Sequence, residues 1–190
     1  MQPRYVPPNV RFEIDNAEDE WMFGENTFDF IHIRTLLGSI KDWDRLYRQA
    51  YRALKPVSTC LSCETAFYSS PCHLKYLSPI GHLLTLSRFK GGWIEHHDNS
   101  CKWGSEHGEF PSTSALGQWH EVIYKAGELM GQTMKILEDD IQQPGMERAG
   151  FVNVDKKDFR APFGSWPRDR HLKTMGALQW AAWDEDPEGM

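Results

Sequence analysis

Several short clusters in this chain hold residue types that can do chemistry. Glu95-His96-His97-Asp98 contains His96-x-Asp98, the short half of a two-histidine, one-carboxylate iron site. Such a site needs a distant histidine, and His107, His120 and His171 are available. Polar residues at a strand end facing a cleft explain the same cluster without metal. Cys60, Cys63, Cys72 and His73 give Cys-x2-Cys followed by Cys-His, a zinc pattern whose adjacent second pair strains a tetrahedron. Ordinary reduced cysteines explain it more simply, so no metal is expected. Asp15-Asn16-Ala17-Glu18 and His32-Ile33-Arg34-Thr35 are marked by position instead: each follows or ends an apolar run.

The elements that carry these clusters read as an α/β sheet. Val10, Phe12 and Ile14 alternate with Arg11, Glu13 and Asp15, the period of a strand over Val10–Asp15. Phe28, Phe30, Ile31 and Ile33 make a second strand, apolar enough for a sheet covered on both faces. Trp43, Leu46, Tyr47, Ala50 and Leu54 recur at helical spacing; Ser39 or Asp42 can cap that helix, and Pro56 stops it. Gly91–His97 reads as a third strand, and Ala115–Met130 as a long amphipathic helix. Ile136–Ala149 is helical but interrupted at Pro144-Gly145, with Gly150 as a stop. Phe151–Phe159 reads as a strand and Asp169–Trp183 as a last helix. In open α/β sheets, ligands bind beyond the carboxyl ends of the strands. That rule singles out Asp15–Glu18 and His32–Thr35.

Val57–Lys90 breaks the pattern. It has no Trp and no Asp, and it is far longer than the ~2–6 residues usual between a helix and the next strand. We read it as an insertion, or a read-through intron, in one partial domain spanning residues 1–190. The length suits one domain. A formal net charge of −6 weighs against nucleic acid, whose phosphates need a basic surface. No apolar run approaches the ~20 residues that span a bilayer, and MQPRYVPP lacks the apolar core of a signal peptide. The cysteines do not form a secreted framework, so a cytoplasmic or nuclear setting is expected. Arg45, Arg48 and Arg52 read as a solvated helix face. The Trp residues on apolar stripes read as core, while Trp21 and Trp93 are candidates for pocket walls.

The pieces IDNAEDEW, ENTFDFIHIR, DWDRLYRQAYRALKP and GGWIEHHD, with ERAGFVNV and GSWPRD, resemble class I S-adenosylmethionine-dependent methyltransferases. The similarity is greatest to the fungal secondary-metabolism regulators that work with velvet proteins, and it covers most of the chain outside Val57–Lys90. The resemblance implies a Rossmann-like sheet of order 3-2-1-4-5-7-6, with Val10–Asp15 as strand 3, Phe28–Ile33 as strand 4, Gly92–His97 as strand 5 and Phe151–Phe159 as strand 6. It implies S-adenosyl-L-methionine as cofactor, with Asp15, Asn16, Ala17 and Glu18 at its adenine and His32, Ile33 and Arg34 beside its methionine part and the acceptor. Asn16 stands where the family usually has an acidic residue, and its carbonyl can still accept from the adenine amino group.

The glycine-rich strand-to-helix turn of the family has no counterpart, because Gly91-Gly92 precedes a strand. The expected fold is thus an incomplete Rossmann-like sheet lacking strands 1 and 2 and strand 7. The resemblance implies methyl transfer to a small-molecule or protein acceptor, weak or lost in this chain alone. His96 or His97 would orient the acceptor or take its proton, and a regulatory protein partner is implied. The alternative is a non-catalytic interaction module or relic that keeps the outer sheet and helices.

Overall fold

The computed structural model describes residues 6–56, 82–85, 91–105 and 110–185. Two parallel strands form its centre, β1 (Phe30–Arg34) and β3 (Trp93–Asp98). Their register pairs Ile31 with Ile94 and Ile33 with His96, so these side chains share one face of the sheet. Phe30, His32 and Arg34, opposite Trp93, Glu95 and His97, share the other. Helix α1 (Trp43–Ala53) lies against the first face, and α3 (Gln142–Ala149) packs beside it.

The sequence of α1 explains its position. The Asp42 side chain caps it by accepting the Arg45 N–H at 2.8 Å. Trp43, Leu46, Tyr47, Ala50 and the C-cap Leu54 are all buried, as their helical spacing predicts. Removing a leucine side chain such as Leu46 or Leu54 from water contributes about 1.5–3 kcal/mol. Leu54 and Lys55 then return to the sheet. Lys55 donates its N–H to the Phe28 carbonyl, and Gly92 donates its own to Lys55. A Cβ on Gly92 would lie 2.7 Å from Leu54 Cδ2 and 3.0 Å from the Phe28 carbonyl, so only glycine lets the chain enter β3 there.

Several expectations are corrected. Residues 10–15 form no strand: Val10 and Phe12 are exposed and Ile14 wholly so. Alternation marks a strand only where a neighbouring ladder exists, and none lies beside this segment among the described residues. The strand expected over residues 28–33 runs from Phe30 to Arg34, with Phe28 in a single bridge to Leu54. Its second face is open at the amino end, where Phe30 is 53% and Trp93 47% exposed, and closed at the carboxyl end, where His97 is buried. Pro144 does not break α3. It occupies the first turn, where its missing N–H has no helical acceptor to satisfy. The break falls earlier, at Asp140 with φ of 46°, and Gly150 closes the helix at φ of 106°, as the sequence predicts. The strand expected over residues 151–159 shrinks to β4 (Asp155–Lys157), because Asn153 adopts a left-handed φ of 55°.

The segment read as an insertion contributes to the sheet. Residues 82–85 form β2 (His82–Thr85), antiparallel to β3 on one side and β4 on the other. The order is β1-β3-β2-β4, which puts β2 where the family's order has its strand 7. The rest of residues 57–90, with the Cys60, Cys63, Cys72 and His73 pattern, lies outside the described residues, apart from β2.

Helix α2 (Ala115–Met130) starts at Ser114, whose hydroxyl accepts the Gly117 N–H, and stops at Gly131 with φ of 69°. Helix α4 (Arg170–Glu185) closes the described chain. Both keep apolar residues in solvent, including Val122, Leu129, Met130, Leu178 and Trp180.

Candidate functional site

The carboxyl ends of β1 and β3 are joined by Asp98. This residue is fully buried, and its carboxylate accepts the Leu36 N–H at 3.2 Å and the Asn99 N–H at 3.0 Å. Thr35, held at φ of 55°, donates its N–H to the His97 carbonyl. The two segments leaving the parallel strands are therefore fixed to each other by charge-assisted and backbone bonds.

His96 lies beneath them, buried against α1. Its Nδ1 is 2.8 Å from the Tyr47 hydroxyl and 3.3 Å from Gln142 Nε2. Its Nε2 is 3.4 Å from Asp98, and the Trp43 ring stacks on it at 5.1 Å. Burial pushes the His96 pKa down despite Asp98, so the ring is neutral near pH 7. Neutral His96 with its proton on Nε2 donates to Asp98, and its one Nδ1 lone pair accepts chiefly from the nearer Tyr47 hydroxyl, with the Gln142 amide sharing it at longer range. Burial likewise raises the Tyr47 phenol, aided by Asp98 and Asp44. His96 thus belongs to a buried lock, not to a cleft-facing strand end, which corrects its candidacy as acceptor base. His97 points from the other face. It is 4% exposed, and neither ring nitrogen has a hydrogen-bond partner among the described residues. Burial and then Arg34 lower its pKa.

Asp15–Glu18 is fastened to the same end of the molecule. Asn16 donates its N–H to the Asp15 carboxylate, and its Oδ1 accepts the Glu18 N–H at 3.1 Å, a tight local turn. Glu18 accepts the Lys41 N–H at 2.5 Å, one residue before the cap of α1. Ala17 accepts from the Trp21 indole, and Trp21 is held by Gln49 and Arg52 of α1. Sequence reasoning missed Gln49 and Gln142. Gln49 falls on the apolar stripe between Leu46 and Ala53, and a lone polar residue there was its only signal.

The structure separates the residues expected beside the methionine part. His32 and Arg34 project from the open face, where His32 Nδ1 pairs with Glu95 at 2.7 Å. Ile33 is buried in the core, so only its backbone can serve a ligand. That outcome follows from strand alternation. Among the described residues no three His, Cys, Asp or Glu groups gather as a metal site. His107 lies outside the described residues.

Immediately beyond β3 lies a cavity of about 720 Å³, walled by Ser100, Lys102–Ser105 and the first turns of α2. A smaller one of about 420 Å³ sits between Lys41 and residues 131–135.

Comparison with known proteins identifies the family. Residues 2–123 match the family described as methyltransferase domain. Methyltransferase pytC of Aspergillus terreus is 33% identical over 182 residues, covering 94% of this chain and 44% of that protein. Secondary metabolism regulator LAE1 of Cochliobolus heterostrophus is 26% identical, over 93% of this chain and 46% of its own. Methyltransferase cpsF of Aspergillus campestris is 25% identical, over 94% and 51%. The chain therefore spans about half the length of these relatives. No solved structure matches it.

Proposed function

The chain belongs to the methyltransferase-domain family, and we propose on that premise that it binds S-adenosyl-L-methionine for methyl transfer in fungal secondary metabolism. One observation carries the reading. The acidic turn at Asp15–Glu18 and the segments leaving β1 and β3 converge at the carboxyl edge of a parallel pair, where such sheets take ligands. The donor set suits an adenine. The Ala17 N–H, unlike those of Asn16, Glu18 and Asp19, donates to no described group, and it suits a ring nitrogen. Asn16 Oδ1 keeps a second lone pair for the exocyclic amine. The exposed Arg34 guanidinium suits the cofactor's carboxylate.

When bound, the cofactor supplies a methyl group on a sulfonium. The chain's part is placement, since aligning two reactants supplies much of the rate in such transfers. Asp98 and the Tyr47–His96–Gln142 lock keep the two exits rigid. We assign His97, buried beside Arg34 at the end of β3, to the acceptor side. Relatives named as secondary metabolism regulators support a regulatory role; a protein partner and a cytoplasmic or nuclear setting are part of the same proposal. Among the described residues, no helix is long and apolar enough to cross a membrane.

A second reading rests on a specific observation. Phe30 and Trp93 on the open sheet face, with Val122, Leu129 and Met130 of α2, leave apolar surface for a partner, which suits a non-catalytic interaction module. Titration calorimetry decides between them. Methyl-donor binding predicts saturable heat with Kd of about 1–100 μM, weakened about tenfold by Asn16→Ala through the lost hydrogen bond. No heat from folded protein favours the module.

A further inference from the structure

We propose that the cavity beyond β3 is the acceptor pocket and that it takes a planar aromatic compound bearing an ionisable hydroxyl. Its role as acceptor pocket rests on the methyl-transfer reading, whereas its capacity to bind does not. The cavity begins at Ser100, two residues after Asp98 closes β3, so it opens at the same edge as the turn assigned to the cofactor.

Its volume of about 720 Å³ falls within the ~300–1,000 Å³ usual for small-molecule sites. Trp103, Phe110 and Leu116 supply apolar wall. Trp103 is braced edge-on by Phe163 at 4.9 Å, which is itself held by Trp180 of α4 at 5.3 Å. His120 is fixed in the same way by the Tyr124 ring at 5.5 Å. Rigid aromatic walls favour a flat ligand over a flexible chain.

The polar groups select the functional group. Lys102 and the amino end of α2, which has no acidic residue in its first turn, give the cavity positive character. Glu121 opposes a permanently charged anion there. His120 can hydrogen-bond a hydroxyl in either direction. A neutral hydroxyl that can ionise meets all three conditions, and a carboxylate does not.

The test titrates 2-naphthol, 2-methoxynaphthalene and 2-naphthoate into the full chain without cofactor, read by calorimetry. The pocket predicts that 2-naphthol binds more tightly than either analogue. Trp103→Ala should weaken it about tenfold through lost stacking area. His120→Phe keeps a ring, and should weaken 2-naphthol about tenfold while leaving 2-methoxynaphthalene unchanged. Circular dichroism confirms that each variant is folded. Absent binding, or equal binding of all three probes, overturns the proposal. Naphthol binding without S-adenosyl-L-methionine binding supports the pocket and removes the methyl-donor reading, and the reverse pattern removes the pocket alone.

Discussion

His96 and His97 show how much a single strand position decides. Neighbouring residues on a strand face opposite ways, so one of the pair had to enter the core. The sequence shows that alternation, yet it does not show which face α1 covers. His96 took the buried side, and its ring is satisfied by Tyr47, Gln142 and Asp98. Tyr47→Phe removes one donor to His96 and leaves the other in place. It should lower stability by about 1–2 kcal/mol, read as a shift in the urea midpoint with unchanged slope. The same lock sets an acid limit. The His96 pKa is lowered on folding, so the unfolded chain binds the extra proton first. Stability is therefore fully present above the unfolded histidine value of about 6.5. It falls as pH drops through that value toward the folded one, by at most about 1.4 kcal/mol per pH unit for this residue. His97, lowered by burial and Arg34, adds in the same direction. Urea midpoints at pH 7 and pH 5 measure the loss, and a flat profile would contradict the buried neutral lock.

At the scale of elements, helices were easier to read than strands. The 3.6-residue stripe of α1 and the ends of α2 at Ser114 and Gly131 are written locally. Strands of three to six residues depend on partners elsewhere. Residues 10–15 alternate without a ladder to join, whereas β2 comes from a stretch whose composition suggested no part in the sheet. Pro144 misled for a related reason, since its effect depends on where the helix begins. The contact between α1 and α3 can be tested directly. A Cβ on Gly145 would lie 2.8 Å from the Tyr47 ring, the ring that anchors His96. Gly145→Ala should cost about 1–3 kcal/mol through overpacking, read by thermal or urea unfolding. A neutral result would mean that the two helices sit farther apart than the structure places them.

For the molecule as a whole, the family was legible from motifs strung along the chain, among them β1, α1 and β3, which build the centre of the fold. The candidate site was legible only in part. Asn16 and Glu18 were proposed from their place after an apolar run, and the structure ties them through Lys41 to the exit of β1. The cavity beyond β3 was not found, because no local pattern joins Trp103, Phe110 and His120 in the sequence, and they line one cavity only in the fold. The account depends on the acidic turn and the β1 exit holding one methyl donor between them. Amide hydrogen exchange with and without saturating S-adenosyl-L-methionine tests this most directly. The account predicts that the Ala17 amide, which donates to no described group, slows by at least about tenfold on binding, as expected when such a donor gains a partner, and that residues 34–36 slow with it. Binding heat accompanied by unchanged exchange at both segments would place the methyl donor elsewhere and contradict the site.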